Sequence, residues 1–216
     1  MISPRARLGN NATPEAVLFS EACERNKEPI AMELERWLQR PARVLEVGSG
    51  SGQHAVHLTR RLSQLQWHPS ERPESLEALQ ARIAQEGRTQ LAAGSALADA
   101  ISLDVTTDDW PAGPFDAVFT ANTAHIMPAA AVPQLIAGAA AVLGNAGLLL
   151  LYGPFSDGGR HTAPSNAAFD AHLRSIDAAM GVRDADWIVD LAQHQGLSPL
   201  ADVAMPANNR LLVLAA

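Results

Sequence analysis

Cysteine is almost missing from this sequence: Cys23 is the only one in 216 residues. That excludes an intramolecular disulfide and a zinc site built on paired thiolates, and it suits a reducing, cytoplasmic setting. Cys23 itself reads as a small apolar residue of an N-terminal helix. Long hydrophobic runs are missing too. The first thirty residues hold no stretch suited to an export signal, and nowhere do about eighteen apolar residues pass without a charge or breaker, so neither secretion nor membrane spanning is expected. Basic charge is sparse and scattered, with 16 Lys and Arg against 23 Asp and Glu, a net charge of −7. The nearest approach to a basic cluster, Arg36, Arg40 and Arg43, lies beside Glu33 and Glu35 and reads as a solvated helix face. A nucleic-acid partner, which needs clustered cations, is not expected.

What is present is the composition of an ordinary globular chain, 47% hydrophobic and 18% charged. With no repeat and no linker, residues 1–216 read as one domain that buries roughly 70% of its unfolded surface. Residues 1–40 predict a helical cover. Thr13, Pro14 and Glu15 open one helix that reaches about Cys23, and Ile30, Leu34, Trp37 and Leu38 mark a second, both ending before Pro41.

From Arg43 short apolar strands alternate with amphipathic helices, the pattern of a parallel sheet covered on both faces. Strands are expected at 44–47, 65–67, 101–103, 117–120 and 147–151. Helices follow Pro73, with Leu76, Leu79 and Ile83 on one face, and Pro128, with Val132, Leu135, Ile136 and Leu143. The Ala- and Gly-rich stretch 89–100 has no readable pattern. Residues 153–185 read as a lid or substrate wall whose helix turns Phe169, Leu173, Ile176 and Met180 inward. The last stretch reads as a strand, a turn at Pro206–Asn209 and a returning strand, an antiparallel hairpin.

Chemistry concentrates where Val44-Leu45-Glu46-Val47 runs into Gly48-Ser49-Gly50-Ser51-Gly52-Gln53-His54. Glycines at alternating positions make a tight turn into a helix N-terminus, where free N–H groups favour an anionic or acceptor group. Such a loop alone is a weak signal, but acids surround it. Glu46 precedes it by two residues. Glu71 lies 19 residues past Gly52, close to the spacing of about 20 at which an acid reaches a ribose in such folds. A carboxylate there accepts from both ribose hydroxyls at once. Asp104, followed by Val105, ends the third strand, where it either meets the amine of an adenine or caps the polar turn of Thr106, Thr107 and Asp108. A dinucleotide fingerprint, G-x-G-x-x-G, would need glycine at position 53, where Gln53 stands. This leaves a nicotinamide oxidoreductase as a weak competitor.

The E-x-G-x-G-x-G run resembles the first motif of class I methyltransferases that use S-adenosylmethionine. Further segments narrow the resemblance: Glu24-Arg25-Asn26-Lys27-Glu28-Pro29-Ile30, Trp67 with Pro69-Ser70-Glu71, Asn122 with His125-Ile126 and Pro128, Tyr152-Gly153-Pro154-Phe155, Ser165-Asn166 with Phe169-Asp170, Gly181 with Arg183-Asp184, and Met205-Pro206-Ala207-Asn208-Asn209. Together they resemble the DUF938 family over nearly the whole chain. The resemblance implies a Rossmann-like class I methyltransferase fold, seven strands with the last hairpin reversed, binding S-adenosylmethionine through Glu46, Gly48, Ser49, Gly50, Gly52, Gln53, Glu71, Asp104, Val105 and Asn122. Ser51 and Glu71 stand where the family pattern more often has Thr and Asp.

Methyl transfer from a sulfonium needs alignment and exclusion of water rather than a metal. The seven histidines agree, since His54 and His57 stand three apart with no third ligand. Ligands of open α/β sheets bind beyond the carboxyl ends of the strands, which puts Asn122, His125 and Tyr152 at the same crevice. Each has a plain alternative: a helix cap for Asn122, a structural imidazole for His125, a buried strand-end ring for Tyr152. Arg183 beside Asp184 reads as a solvated pair, and Asn208 and Asn209 as turn residues. The expected activity is methyl transfer to a small-molecule acceptor. The rival is a cofactor-binding interaction module without turnover.

Overall fold

The computed structural model describes residues 18–216. Helix α1 (Glu21–Trp37) is capped by Ser20, whose hydroxyl accepts from the Cys23 amide at 3.3 Å. The second expected helix therefore begins as early as Glu21, taking in Cys23, and passes through Pro29. Proline there removes one intrahelical bond, a loss that the burial of Ile30, Ala31 and Leu34 offsets. The expected start at Thr13 lies outside the described residues.

The chain continues as β1 (Ala42–Val47), α2 (Gln53–Arg61), β2 (Leu65–Glu71) and α3 (Leu76–Arg82), which runs on as a turn of π-helix over Ile83–Gly87. Then come β3 (Ala96–Leu97), β4 (Ile101–Ser102), β5 (Phe115–Ala121), α4 (Val132–Val142), β6 (Leu143–Gly153), β7 (Phe155–Asp157), β8 (Arg160–His161), α5 (Pro164–Ile176), β9 (Arg183–Asp184), α6 (Ala185–His194), β10 (Ser198–Met205) and β11 (Asn209–Ala215). The main sheet runs β10-β11-β6-β5-β1-β2-β3, with β4 also paired to β2. β3 meets Gln66 and Trp67, and β4 meets Ser70 and Glu71, so the two share one edge position, and the unreadable 89–100 stretch contains the first of them. All pairs from β6 to that edge are parallel, whereas β11 is antiparallel to both β6 and β10. This is a Rossmann-like sheet closed by a reversed hairpin.

Period-two alternation divides the central strands between two cores. Val44, Ala117, Phe119, Leu150, Tyr152, Leu211 and Val213 face α1, α2 and α3. Leu45, Val118, Leu149, Leu151, Leu212 and Leu214 face α4 and α6. Each buried Leu or Val side chain stabilises the fold by roughly 1.5–3 kcal/mol, which is why the middles of the central strands carry almost no polar residues on either face. Polar side chains stand near the amino ends of these strands, as with Arg43, Gln66 and Asp116, and at the carboxyl ends, where Glu46 on β1, Ser70 and Glu71 on β2, Thr120 on β5 and Tyr152 on β6 gather.

Residues 153–185 form a small sheet, β8-β7-β9, packed with α5. The inward face of α5 is Asn166, Asp170 and Leu173, with Phe169 half-buried. Ile176 is exposed and Met180 lies beyond the helix. The expected apolar stripe is therefore corrected: polar residues on this face bind neighbouring loops.

Candidate active site

At the carboxyl end of β1 the chain reverses over Gly48–Gly52. Gly48 has φ +73°, and a Cβ there would lie 2.6 Å from Thr123 Oγ1, so only glycine fits. The Gly50 Cα faces open space, with nothing within 4 Å of a Cβ built on it. The turn is tied to β2 by Ser49 N donating to Ser70 O at 2.9 Å and Ser70 N donating to Ser49 Oγ at 3.2 Å. From the other side, the buried Arg82 donates to Ser51 O at 2.5 Å and to Leu18 O at 2.8 Å.

The three acids take three different states. Glu46 is 1% exposed and accepts from Trp67 Nε1 at 2.9 Å. Burial pushes its carboxyl up to about 7 despite the hydrogen bonds from Trp67 and Ser49, and the charge of Glu71 pushes the same way. Glu71 is half-buried beside the glycine turn. Its Oε2 accepts from Gly50 N at 2.7 Å and its Oε1 from Arg72 N at 2.9 Å. Asp104 caps its own turn, accepting from Thr106 N at 2.9 Å and Thr106 Oγ1 at 2.6 Å. These bonds hold its carboxyl below the ordinary range, and Arg72 Nε stands 3.5 Å from its other oxygen. Glu71 and Asp104 are thus neighbours across Arg72. Val105 packs half-buried on the second core.

The segment after β5 forms the opposite wall. Asn122 has φ +58° and donates its amide to Tyr152 O at 2.8 Å. It caps no helix among the described residues, as the next helical turn begins at Ala129. Its Oδ1 and His125 Nδ1 converge beside the Gly153 Cα, at 3.9 and 3.5 Å from a Cβ built there. His125 is 5% exposed, its ring edge-on to Phe169 at 5.2 Å between centroids. Among the described residues neither ring nitrogen has a hydrogen-bond partner. Desolvation, helped by the Arg183 charge, lowers its pKa to about 4, so the imidazole is neutral at pH 7.

Tyr152 is a buried strand-end residue whose hydroxyl lies near the side chains of Asn26 and Asn209. Burial raises its pKa. Asn26 Oδ1 also meets His54 Nε2 at 2.7 Å, and His57 pairs with Glu28 at 3.0 Å. No group of three metal-binding side chains exists among the described residues. Gln53 turns toward α1, its Oε1 accepting from Ser20 N at 2.6 Å and from Ser51 Oγ at 2.9 Å.

Three groups go beyond the sequence reading. Arg183 is buried and donates to Ala124 O, Met127 O and Ala179 O at 2.6–2.9 Å, so the solvated-pair expectation is corrected. Successive strand residues face opposite ways: Arg183 points inward while Asp184 caps α6. Asn208 does more than turn the chain, since its Nδ2 donates to Ser165 Oγ at 3.0 Å and its carbonyl accepts from Asn166 Nδ2 at 3.0 Å. Arg82, on the covering helix, had no sequence signal.

The carboxyl ends of β1, β2, β5 and β6 thus gather a glycine turn, a buried carboxyl and a half-buried carboxyl on one side and a neutral imidazole on the other. Solved structures share the fold. An O-methyltransferase family protein from Burkholderia thailandensis superposes with TM-score 0.75 at 18% identity, over 90% of this chain and 57% of that one. Human N-acetylserotonin methyltransferase, solved in complex with S-adenosylmethionine, gives TM-score 0.70 at 14% identity over 90% and 52%. An O-methyltransferase family 2 protein from Planctomyces limnophilus, solved with apigenin, gives 0.67 at 16% over 88% and 61%. The chain spans little more than half the length of these proteins. The sequence model of the family described as "Protein of unknown function (DUF938)" matches residues 17–215. The chain belongs to the DUF938 family.

Proposed function

We propose that this protein is an S-adenosylmethionine-dependent methyltransferase acting on a small-molecule acceptor. The observation that carries the reading is the convergence of Glu46, the glycine turn and Glu71 at the carboxyl ends of β1 and β2. These groups fit such a cofactor. The open face of Gly50 admits close approach of a ligand, and the half-buried Glu71 suits a ribose diol. Glu46, held partly protonated near neutrality by burial, gains its charge when a ligand ammonium arrives beside it. Asn122 would border the methionyl part, and Asp104 with Val105 the adenine.

The cofactor supplies a methyl group already activated on a sulfonium. The chain's own work is alignment, exclusion of water and handling of one proton. His125 stands neutral, with unpartnered nitrogens, over Gly153, where an acceptor hydroxyl can donate to it. With a pKa of about 4 it is a weak base, matched to an acceptor whose proton becomes strongly acidic as the methyl bond forms. The groups in contact with the imidazole, Phe169 and the Gly153 and Asn122 edge, are uncharged and the nearby charge is the positive one of Arg183, which favours a neutral or anionic acceptor over a cationic one. Tyr152 packs beside Asn26 and Asn209 at the end of β6 and supports this wall rather than taking a proton.

Incubation of the purified protein with methyl-labelled S-adenosylmethionine and a cell metabolite extract, followed by mass spectrometry, tests this reading. A labelled small molecule that requires the protein supports it. Cofactor binding with no labelled product across extracts would favour an interaction module without turnover.

A further inference from the structure

The turn that carries His125 is irregular. Within it only the amides of Ile126 and Met127 find a partner, both at Thr123 O. The carbonyls of Ala124, His125 and Met127 are left facing outward, and a buried carbonyl without a partner is costly. All three are satisfied by one segment, residues 179–183. Arg183 Nε donates to Ala124 O at 2.9 Å, and its Nη2 donates to Met127 O at 2.6 Å and to Ala179 O at 2.9 Å. Gly181 N donates to His125 O at 2.9 Å, and Ala129 N returns a bond to Ala179 O at 3.2 Å. The planar guanidinium fork donates from two separate nitrogens to three diverging carbonyls, a fixed spread that the single nitrogen of a lysine does not reproduce. Gly181 permits the approach: a Cβ there would lie 2.6 Å from Arg174 Nη2 and 2.7 Å from Asp170 Oδ1.

Arg183 is also a cation buried without a counter-ion, since among the described residues it forms no ion pair. The charged groups near His125 are few. Its own turn offers none, β6 brings the uncharged Tyr152, and α5 brings Phe169. Beyond Gly181 lie Asp170 and Arg174, paired at 2.9 Å, with His161 at 3.6 Å from the same carboxylate. Among the described residues, the unbalanced charge acting on the imidazole is that of Arg183.

We propose that Arg183 is a positioning residue for the reaction: it docks the His125 turn onto the 179–183 segment, and its charge further disfavours protonation of the imidazole, so that the base is held in place only while the two segments are joined. The catalytic half of this role rests on the proposed function; the docking and the charge effect do not. The lowered pKa of His125 agrees with both.

Histidine NMR titration of the full chain, with the His125 resonance identified by its loss in His125→Gln, tests the charge effect. Amide hydrogen exchange at Met127 and Ala129 tests the docking. Arg183→Gln should raise the His125 midpoint by roughly half a unit or more, since a nearby positive charge is gone, and speed exchange at both amides at least tenfold. Arg183→Lys should keep the midpoint low yet still lose protection, because charge returns without the fork. Gly181→Ala, which leaves Arg183 in place, should lose protection by displacing the segment. An unchanged midpoint in folded Arg183→Gln, or full protection in Arg183→Lys and Gly181→Ala, would overturn the proposal. Should Arg183→Gln fail to fold, the other two variants decide it. S-adenosylmethionine calorimetry on the same samples separates the two ideas: wild type that binds none sinks the functional reading and leaves the NMR result standing.

Discussion

Replacing Glu46 by glutamine should make the ligand-free protein more stable above neutral pH and leave its stability unchanged in acid. Glu46 is raised from 4.5 to about 7 by burial, so the folded state binds its proton more tightly than the unfolded chain does. The burden on folding is absent below the unfolded value, accumulates between pH 4.5 and 7, and is complete above 7. At about 1.4 kcal/mol per pKa unit the full difference is on the order of 3 kcal/mol. Glutamine is nearly isosteric, and its amide oxygen can still accept from Trp67 Nε1, so the core around it need not move. Urea unfolding of both proteins at pH 4.5, 6, 7.5 and 8.5 measures the effect, because other titrating groups cancel in the difference between them. The mutant advantage should grow with pH and level off near 8. A difference that stays flat with pH would refute the claim that Glu46 is held protonated by burial. The same substitution should weaken S-adenosylmethionine binding, since the ammonium loses a carboxylate partner. A charge that costs stability in the empty protein is then explained by the ligand it meets.

Other outcomes follow from the same geometry. Glu71→Ala should weaken S-adenosylmethionine by about 1.5–3 kcal/mol, the range for hydrogen bonds to a charged group, with calorimetry as the check. Gly48→Ala should destabilise the fold by about 2 kcal/mol or more, since the left-handed conformation alone costs ~1–2 kcal/mol and the methyl meets Thr123 Oγ1; thermal unfolding reads it. Once an acceptor is known, His125→Gln should leave cofactor affinity nearly intact and lower turnover by about 10²–10⁴. The loss should be relieved at high pH if the acceptor ionises itself, and equal rates across pH would remove His125 from the mechanism.

The glycine turn, the strand-end acids and the split of Val44 from Leu45 between two cores were legible because turn chemistry and period-two burial are local. Other features depend on partners far along the chain. The early start of α1 at Glu21 was hidden because Pro29 argues locally against a continuous helix, and only burial on the sheet overrides it. β3 is the dipeptide Ala96–Leu97, held as a strand by pairing with Gln66 and Trp67 rather than by propensity. The strands of the small sheet are two or three residues long, too short for any period to show. Asp104 left two readings open: its Oδ1 caps the turn through Thr106, and contact with an adenine through its other oxygen is part of the proposal. Arg183 misled because its neighbour in sequence is an acid, whereas its partners are carbonyls 56 and 59 residues away.

The measurement that bears most directly on the central claim is calorimetric titration of the purified chain with S-adenosylmethionine, S-adenosylhomocysteine and the two nicotinamide dinucleotides. The account predicts saturable binding of the first two, weakened in Glu71→Ala, and none of the dinucleotides, because Gln53 stands where their fingerprint needs glycine. Saturable binding of a nicotinamide dinucleotide with no binding of S-adenosylmethionine would contradict it.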